Sequence, residues 1–404
     1  MSGKSFAVHK FGGTSVGTAD SIRKCIEIVK TLVPNNRIAM VVSAMGGQPK
    51  VTDMLLDSVH ASASVNEEKR DNLLVAILDK HSVAIKDLLP DHPIEVERLI
   101  RIVQKDLEDI HVILKAVQLL QNAGELILEL ISGYGELWSA QVLASVMQSM
   151  GMPFEFLNAR DVIRIRTEGG TGQMVDWEMS QHYIDEVLAA REKELGYKTH
   201  FVITGFIATT TDGVATTLKR DGSDYSASIF GYLLKADAIT IWTDVSGVYS
   251  ADPRRVRGAQ VITQVSYNEA IELSYFGAKV IHPKTVTPAI MANIPIYIKN
   301  TFEPSAAGTR IYQPPSQGEA VREKTVCGFS TVDNVALLNI DGNGMVGVSG
   351  IALRLFSALE DVSVPVLFIA QASSEHSICF ATRESHALAA KEAIEAKFYW
   401  ELSK

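Results

Sequence analysis

The chain has 404 residues, of which 47% are hydrophobic and 21% are charged, and its length predicts two or three domains with separate cores. No apolar run reaches the roughly 18 residues that a membrane-spanning helix needs. The formal net charge is -9, and the sequence has no basic stripe that could follow a phosphate backbone. We therefore expect neither a membrane protein nor a nucleic-acid-binding protein.

The first residues and the cysteines predict the cellular compartment. Residues 1–4 lead directly into an apolar run, so we expect no signal or transit peptide. The three cysteines, Cys25, Cys327 and Cys379, lack Cys-x-x-Cys spacing and fit reduced structural thiols better than a disulfide or a zinc site. We expect a cytoplasmic protein.

The first 300 residues are predicted to form one large α/β domain. Apolar runs that end in glycine-rich turns predict strands at residues 6–11 and 38–42, joined by a helix that Asp20 or Ser21 caps. Residues 53–150 have helical spacing and predict a helical block. Further strands are predicted at 154–157, 201–207, 214–217, 239–243 and 296–298, a hairpin turn at 211–213, and helices at 225–234 and 267–276. This alternation predicts a parallel or mixed sheet.

A change in composition predicts the domain boundary. Proline, glycine and serine concentrate in residues 303–323, which is typical of a connector. We therefore predict a catalytic domain at 1–302, a linker at 303–324 and a second domain at 325–404. In the second domain the sequence predicts strands at 335–340, 364–370 and 377–381 and helices at 351–359 and 388–398. This βαββα order predicts a ferredoxin-like α+β module without its last strand.

The first candidate site is residues 10–15, Lys-Phe-Gly-Gly-Thr-Ser, between a predicted strand and a predicted helix. Glycines let successive backbone N–H groups surround an anion, a helix N-terminus adds partial positive charge, and Lys10 adds a full charge. The order of residues is not that of a Walker A loop. Alone, this pattern is more often an ordinary turn than an anion site.

Three more segments have the same character. Residues 219–224, Lys-Arg-Asp-Gly-Ser-Asp, offer Arg220 for a carboxylate and Asp224 for a magnesium ion or for Lys10, but also fit a capped surface turn. Residues 242–249 leave a strand as a polar loop, where open α/β sheets bind nucleotides. Residues 276–283 place a lysine after a helix, where its charge has an ordinary stabilising role. Four such turns in one domain indicate a ligand more strongly than any one of them does.

Together with Gly135-Glu136-Leu137, these segments resemble the signature set of the aspartate kinases, in the family's order. Residues 344–348 and 370–375 resemble the ACT regulatory domain of that family, and the chain is most similar to the kinase half of bifunctional aspartate kinase/homoserine dehydrogenases. The resemblance implies an amino-acid-kinase-type open mixed sheet sandwiched by helices, followed by an incomplete ACT module, with the second ACT module absent.

The resemblance implies transfer of the γ-phosphoryl group of ATP to the β-carboxylate of L-aspartate, the first step of lysine, threonine and methionine biosynthesis, with ATP and Mg²⁺ as cofactors. Lys10 and Asp224 are the implied catalytic residues, and no metal ligand is assigned. The implied aspartate-binding residues are Ser43, Thr52, Glu136, Arg220 and Ser223. The implied ATP-binding residues are Lys10, Phe11, Gly12, Gly13, Thr243, Asp244, Tyr249, Arg254, Lys279 and Val280. The implied effector, threonine or lysine, binds near Gln371, and a homo-oligomer is expected.

Two departures from the family and two alternative functions stay open at this point. Lys219 and Asp221 stand where many members have glycine, and the family normally carries two paired ACT modules. One alternative is a kinase of the same fold that acts on another carboxylate or carbamate. The other is a non-catalytic amino-acid sensor, against which the joint presence of Lys10, Glu136, Arg220 and Asp224 argues.

Overall fold

The computed structural model describes residues 5–168, 172–195, 199–219, 221–275, 281–314, 326–342, 348–371 and 377–402. The chain divides into two compact units, Met1–Ser330 and Thr331–Lys404. Within the described residues, no helix is both long enough and apolar enough to cross a membrane.

The first unit contains twelve described strands and ten described α-helices. The strands are β1 (Phe6–Phe11), β2 (Arg37–Val42), β3 (Phe154–Leu157), β4 (Arg164–Glu168), β5 (Gly172–Val175), β6 (His200–Thr204), β7 (Ile207–Thr210), β8 (Ala215–Thr217), β9 (Ala238–Thr243), β10 (Gln264–Ser266), β11 (Ile296–Asn300) and β12 (Thr309–Tyr312). The helices are α1 (Ala19–Leu32), α2 (Val51–Ala63), α3 (Glu67–Leu88), α4 (Pro93–Leu120), α5 (Glu125–Ser132), α6 (Tyr134–Ser149), α7 (Trp177–Leu195), α8 (Gly222–Leu233), α9 (Tyr267–Tyr275) and α10 (Pro283–Ala292).

Eight strands form the main sheet in the order β10-β12-β11-β9-β1-β2-β6-β3. Every residue of β1 and β2 is buried, as in strands covered by helices on both faces. β1 runs parallel to β2 on one side and to β9 on the other, whereas β11 and β12 are antiparallel. The sheet is therefore mixed, as predicted.

Helices cover both faces of this sheet. Phe6 and Val8 of β1 pack with α8 and α10 residues such as Phe230 and Val286. Ala7, on the opposite face, packs with α1 and α6 residues, because side chains alternate across a strand. A further apolar cluster joins α2, α3, α4 and Trp138 of α6, which confirms the predicted helical block.

A second sheet has the order β5-β4-β7-β8. β7 and β8 form an antiparallel pair across the predicted turn, where Gly213 has a φ of 85°. β4, β5 and α7 were absent from the sequence prediction. The first helix also begins earlier than predicted, since the Thr18 side chain accepts a hydrogen bond from the Ser21 N–H.

The predicted linker contributes a strand to the main sheet. β12 lies within residues 303–324 and pairs with β10 and β11. Buried Thr309 and Ile311 alternate with more exposed neighbours, a strand pattern that the surrounding prolines and glycines obscured. The first compact unit extends to Ser330 rather than to residue 302.

The second unit contains β13 (Val335–Asp341), α11 (Ile351–Asp361), β14 (Phe368–Gln371), β15 (Ser377–Arg383), α12 (Ala387–Lys397) and α13 (Tyr399–Leu402). Its strands are antiparallel in the order β13-β15-β14. Leu355, Phe380 and Ile394 are among the residues of its separate core. The predicted βαββα order is confirmed in this unit.

Candidate active site

A cavity of about 1050 Å³ opens in the first unit where β1, β2 and β9 end. These strands are parallel neighbours, so the loops that follow them meet at one edge of the sheet. The other walls include the start of α2, one face of α5, the start of α6 and the first turn of α8. The cavity therefore lies where an open α/β sheet is expected to bind a ligand.

Lys10 and Asp224 form an ion pair in this cavity. Lys10 is near the end of β1, and Asp224 lies in the first turn of α8, so the pair links the sheet to a helix N-terminus. Their side chains are only 11% and 15% exposed, respectively. The carboxylate holds the ammonium group at the mouth of the glycine turn, where it can meet an anion.

Two glycine loops lie against each other beside Lys10. The Gly46 N–H donates to the Gly13 carbonyl at 2.9 Å. A Cβ atom on Gly46 would lie 2.5 Å from that carbonyl oxygen and 2.9 Å from the Thr14 nitrogen, so only glycine fits there. Lys80 of α3 holds the second loop from behind, since its ammonium group donates to the carbonyls of Gly46 at 2.6 Å and Pro49 at 2.7 Å.

Glu136, in the first turn of α6, is a buried acid that lines the same cavity. One carboxylate oxygen accepts a hydrogen bond from the Ala44 N–H at 3.1 Å. Burial raises the pKa of Glu136 to about 8, although hydrogen bonds from backbone N–H groups and the charge of Arg160 oppose the shift. A cationic ligand group beside this carboxylate would restore its ionised form.

The structure brings ten of the predicted site residues to the cavity lining. These are Lys10, Gly12, Gly13, Ser43, Thr52, Glu136, Ser223, Asp224, Thr243 and Asp244. Phe11 instead points into the core, where its ring stacks on Trp242 at a centroid distance of 5.9 Å. Its side chain therefore supports the strand that carries Lys10.

The other predicted residues lie elsewhere. Tyr249 and Arg254 follow β9 outside the lining of this cavity, and the exposed Arg254 is paired with Asp252 at 2.9 Å. Gln371 is an exposed residue at the end of β14 in the second unit. The roles of these three residues stay predictions. Arg220, Lys279 and Val280, and most of the two ACT-like motifs, lie outside the described residues.

Sequence reasoning missed one wall of the cavity. Glu125 and Glu129 of α5 both pair with Lys219, which precedes α8. The spacing of four residues puts both acids on one face of the helix. Lys219 belongs to residues 219–224, one of the candidate segments of the sequence analysis. That spacing was the available signal, but it does not identify the partner.

The described part of the chain contains no cluster of three or more metal-ligating His, Cys, Asp or Glu side chains. It offers instead a lysine beside backbone turns on one side and a buried carboxylate on another. Such a cavity suits a ligand that carries an anionic group and a cationic group together.

Comparison with protein families agrees with this geometry. Residues 5–300 match the model of the amino acid kinase family. The chain belongs to the amino acid kinase family. Residues 338–398 match the model of an ACT domain, which confirms that the second unit is of the ACT type.

Among curated proteins, this kinase-family chain is similar to the chloroplastic bifunctional aspartokinase/homoserine dehydrogenase 2 of Arabidopsis thaliana, with 41% identity over 98% of the chain. The chain spans 42% of the length of that relative. It is also similar to an aspartokinase of Schizosaccharomyces pombe, with 28% identity over 90% of this chain and 73% of the relative.

A solved structure of E. coli aspartokinase III in complex with lysine and aspartate has the same fold as this member of the amino acid kinase family. The TM-score is 0.72 and the identity is 27%, over 93% of this chain and 79% of the other. The predicted fold class, an amino-acid-kinase domain followed by an ACT-type module, is confirmed.

Gly46→Ala tests the contact between the two glycine loops. The new methyl group meets the backbone of Gly13 and Thr14, so the loops must separate, at a cost of about 1–3 kcal/mol in unfolding free energy. We expect a lower thermal midpoint by differential scanning calorimetry. Gly258→Ala is the matched control, because its Cβ would meet no atom within 4 Å. Equal effects of the two substitutions would contradict the proposed loop contact.

Proposed function

We propose that the chain is an ATP-dependent aspartate kinase, which transfers the γ-phosphoryl group of ATP to the β-carboxylate of L-aspartate. The observation that carries this proposal is the shared cavity of the Lys10–Asp224 ion pair and buried Glu136. The aspartokinase relatives support the same activity. The product is 4-phospho-L-aspartate, the first intermediate toward lysine, threonine and methionine.

The reaction needs no general base. The β-carboxylate of aspartate is ionised at neutral pH, so its oxygen attacks the γ-phosphorus directly. The obstacle is repulsion between two anions, and positive charge and backbone N–H groups at the transferring phosphoryl group lower it. We assign this role to Lys10 and to the backbone of Gly12 and Gly13, with Asp224 holding the ammonium group of Lys10 in place.

Glu136 is the feature that selects an amino acid. We assign it to the α-ammonium group of aspartate and Arg220 to the α-carboxylate, with Ser43, Thr52 and Ser223 as neutral partners. A kinase for a carbamate or a nucleotide has no use for a buried carboxylate at this position, since it would repel the substrate. A non-catalytic sensor would not require a lysine held at the glycine turn.

ATP is assigned to the loops after β1 and β9, where Thr243 and Asp244 line the cavity. Tyr249, Arg254, Lys279 and Val280 are the other residues that we assign to ATP. The donors fit a magnesium ion that arrives with the nucleotide, because Mg²⁺ takes one or two carboxylates and completes its shell with phosphates and water. Asp224 and Asp244 are the carboxylates that would hold it. The ion would supply further positive charge to the phosphates.

The activity is tested by incubating the chain with ATP, Mg²⁺ and aspartate and trapping the acyl phosphate with hydroxylamine. We expect hydroxamate with aspartate, and none when another carboxylate or carbamate replaces it. Lys10→Ala should lower kcat about 100- to 1000-fold through lost charge stabilisation. Lys30→Ala, at a half-buried lysine of α1 outside the cavity lining, is the control. Circular dichroism checks folding. Absence of product with the intact chain, or a normal rate for Lys10→Ala, would refute the proposal.

The buried acid predicts a pH dependence. In the free protein Glu136 ionises with a pKa of about 8, and only the ionised form attracts the substrate's ammonium group. The kcat/KM for aspartate, which reports the free enzyme, should therefore rise as the pH increases toward about 8. Glu136→Gln should abolish this rise and increase KM by about 30-fold or more. The same rise in both proteins would remove Glu136 from substrate binding.

The second unit, Thr331–Lys404, is the proposed regulatory module, and the first, Met1–Ser330, is the proposed catalytic domain. We propose that threonine or lysine binds near Gln371 and that the chain assembles as a homo-oligomer. The E. coli structure contains lysine, which supports an amino-acid effector. The cytoplasm stays a prediction, since the plant relatives are named as chloroplastic. Calorimetric titration with each amino acid measures the effector, and no heat from either would exclude both.

A further inference from the structure

We propose that Lys219, Glu125 and Glu129 form a clamp that positions the start of α8 for the phosphoryl-transfer reaction. The inference rests on the proposed function, because α8 begins with Ser223 and Asp224, two residues assigned to substrate and catalysis. The three clamp residues act through this segment and are positioning residues. They line the same cavity.

The backbone before α8 is in an unfavourable conformation that needs support. Lys219 has a φ of 62° and Asp221 a φ of 54°, so two residues with side chains adopt the left-handed region within one turn. This region crowds the Cβ atom and is normally left to glycine. Such conformations persist where surrounding contacts hold them.

The Lys219 side chain supplies those contacts. Its ammonium group donates to Glu125 Oε1 at 2.6 Å and also pairs with Glu129 Oε1. Burial opposes the charge, but the hydrogen bonds with both carboxylates raise the pKa of Lys219 overall. A single lysine therefore ties the segment before α8 to two successive turns of α5.

Glu129 is the anchor on the α5 side. Its residue is only 8% exposed, and its second oxygen accepts a hydrogen bond from the Thr216 hydroxyl at 2.5 Å. Thr216 in turn accepts from the Gln173 side-chain amide at 3.0 Å. One oxygen of Glu129 thus contacts Thr216 of β8, and the other contacts Lys219, which follows β8 closely. This geometry fixes the path of the chain from β8 into α8.

A competing role for Glu129 or Lys219 is direct contact with the substrate, since both lie in the cavity lining. The two roles differ in one measurable respect. A clamp exists only while both partners are present. Once one partner has been removed, removal of the other therefore has little further effect on KM or kcat. Direct contacts act independently, and their effects multiply.

A double-mutant cycle in the hydroxamate assay separates these roles. The proteins are the wild type, Glu129→Gln, Lys219→Gly and the double variant, with KM for aspartate and kcat measured for each. Glutamine keeps an acceptor for Thr216, and glycine adopts the left-handed conformation without strain. Asp87→Asn, which breaks a tertiary ion pair of Arg23 away from the cavity, is the control.

We expect Glu129→Gln to raise KM about tenfold in the wild-type background and less than about twofold in the Lys219→Gly background. The variant Lys219→Arg, unlike Lys219→Gly, should keep most of the wild-type affinity for aspartate. An equal increase in both backgrounds would overturn the clamp and assign Glu129 to the substrate. No increase in either background would overturn it as well.

Hydrogen exchange gives a readout that does not depend on activity. Glu129→Gln should speed exchange in peptides that span β8 and the first turn of α8, while exchange in α10 stays unchanged. If the wild type makes no hydroxamate but this local effect is present, the proposed function fails and the clamp stands. Unchanged exchange in an active wild-type background would refute the clamp alone.

Discussion

The ion pair between Lys10 and Asp224 is the interaction around which the cavity is organised. Both side chains are largely buried, and removing one partner of a buried pair typically costs about 3–5 kcal/mol because a charge is left without compensation. The pair joins a central strand to a helix N-terminus, so it aligns two elements that carry different parts of the site. The Gly12–Gly13 turn follows β1 and Ser223 lies at the start of α8, so the ion pair sets the relative position of these two parts of the site.

The charge distribution in the cavity explains how the site could hold the two anions of the proposed reaction. Lysine and backbone N–H groups lie at the glycine loops, whereas Glu136 lies on α6 among buried neighbours. A desolvated environment strengthens the electrostatic interactions at both places. The free energy needed to bury the Glu136 carboxylate is reflected in its raised pKa. In the proposed function, this asymmetry orients an amino acid with a side-chain carboxylate, with its ammonium group toward Glu136.

The parts that were predictable from sequence have a local cause. β1 and β2 are short apolar runs that end in glycine-rich turns, and the loop near Lys10 indicates an anion site when it is considered together with the three similar turns. The clamp carries no such signal, because Lys219 and Glu129 come together only through the packing of α5 against β8. β12 was missed because the prolines and glycines around it obscure its alternating burial pattern. The resemblance to the family located Glu136. The sequence pattern around this residue alone favoured a solvent-exposed charge on a helix.

The position of β1 between β2 and β9 has a consequence for biosynthesis. β2 is available soon after β1 emerges from the ribosome, but β9 and the Asp224 segment follow only after the whole helical block. At about 5–20 residues per second, the apolar strand and its lysine wait on the order of ten seconds or more for these partners. During that interval one edge of the β1–β2 pair is open to wrong pairing. The proposed catalytic lysine thus belongs to a strand that lacks one of its two neighbours during much of synthesis.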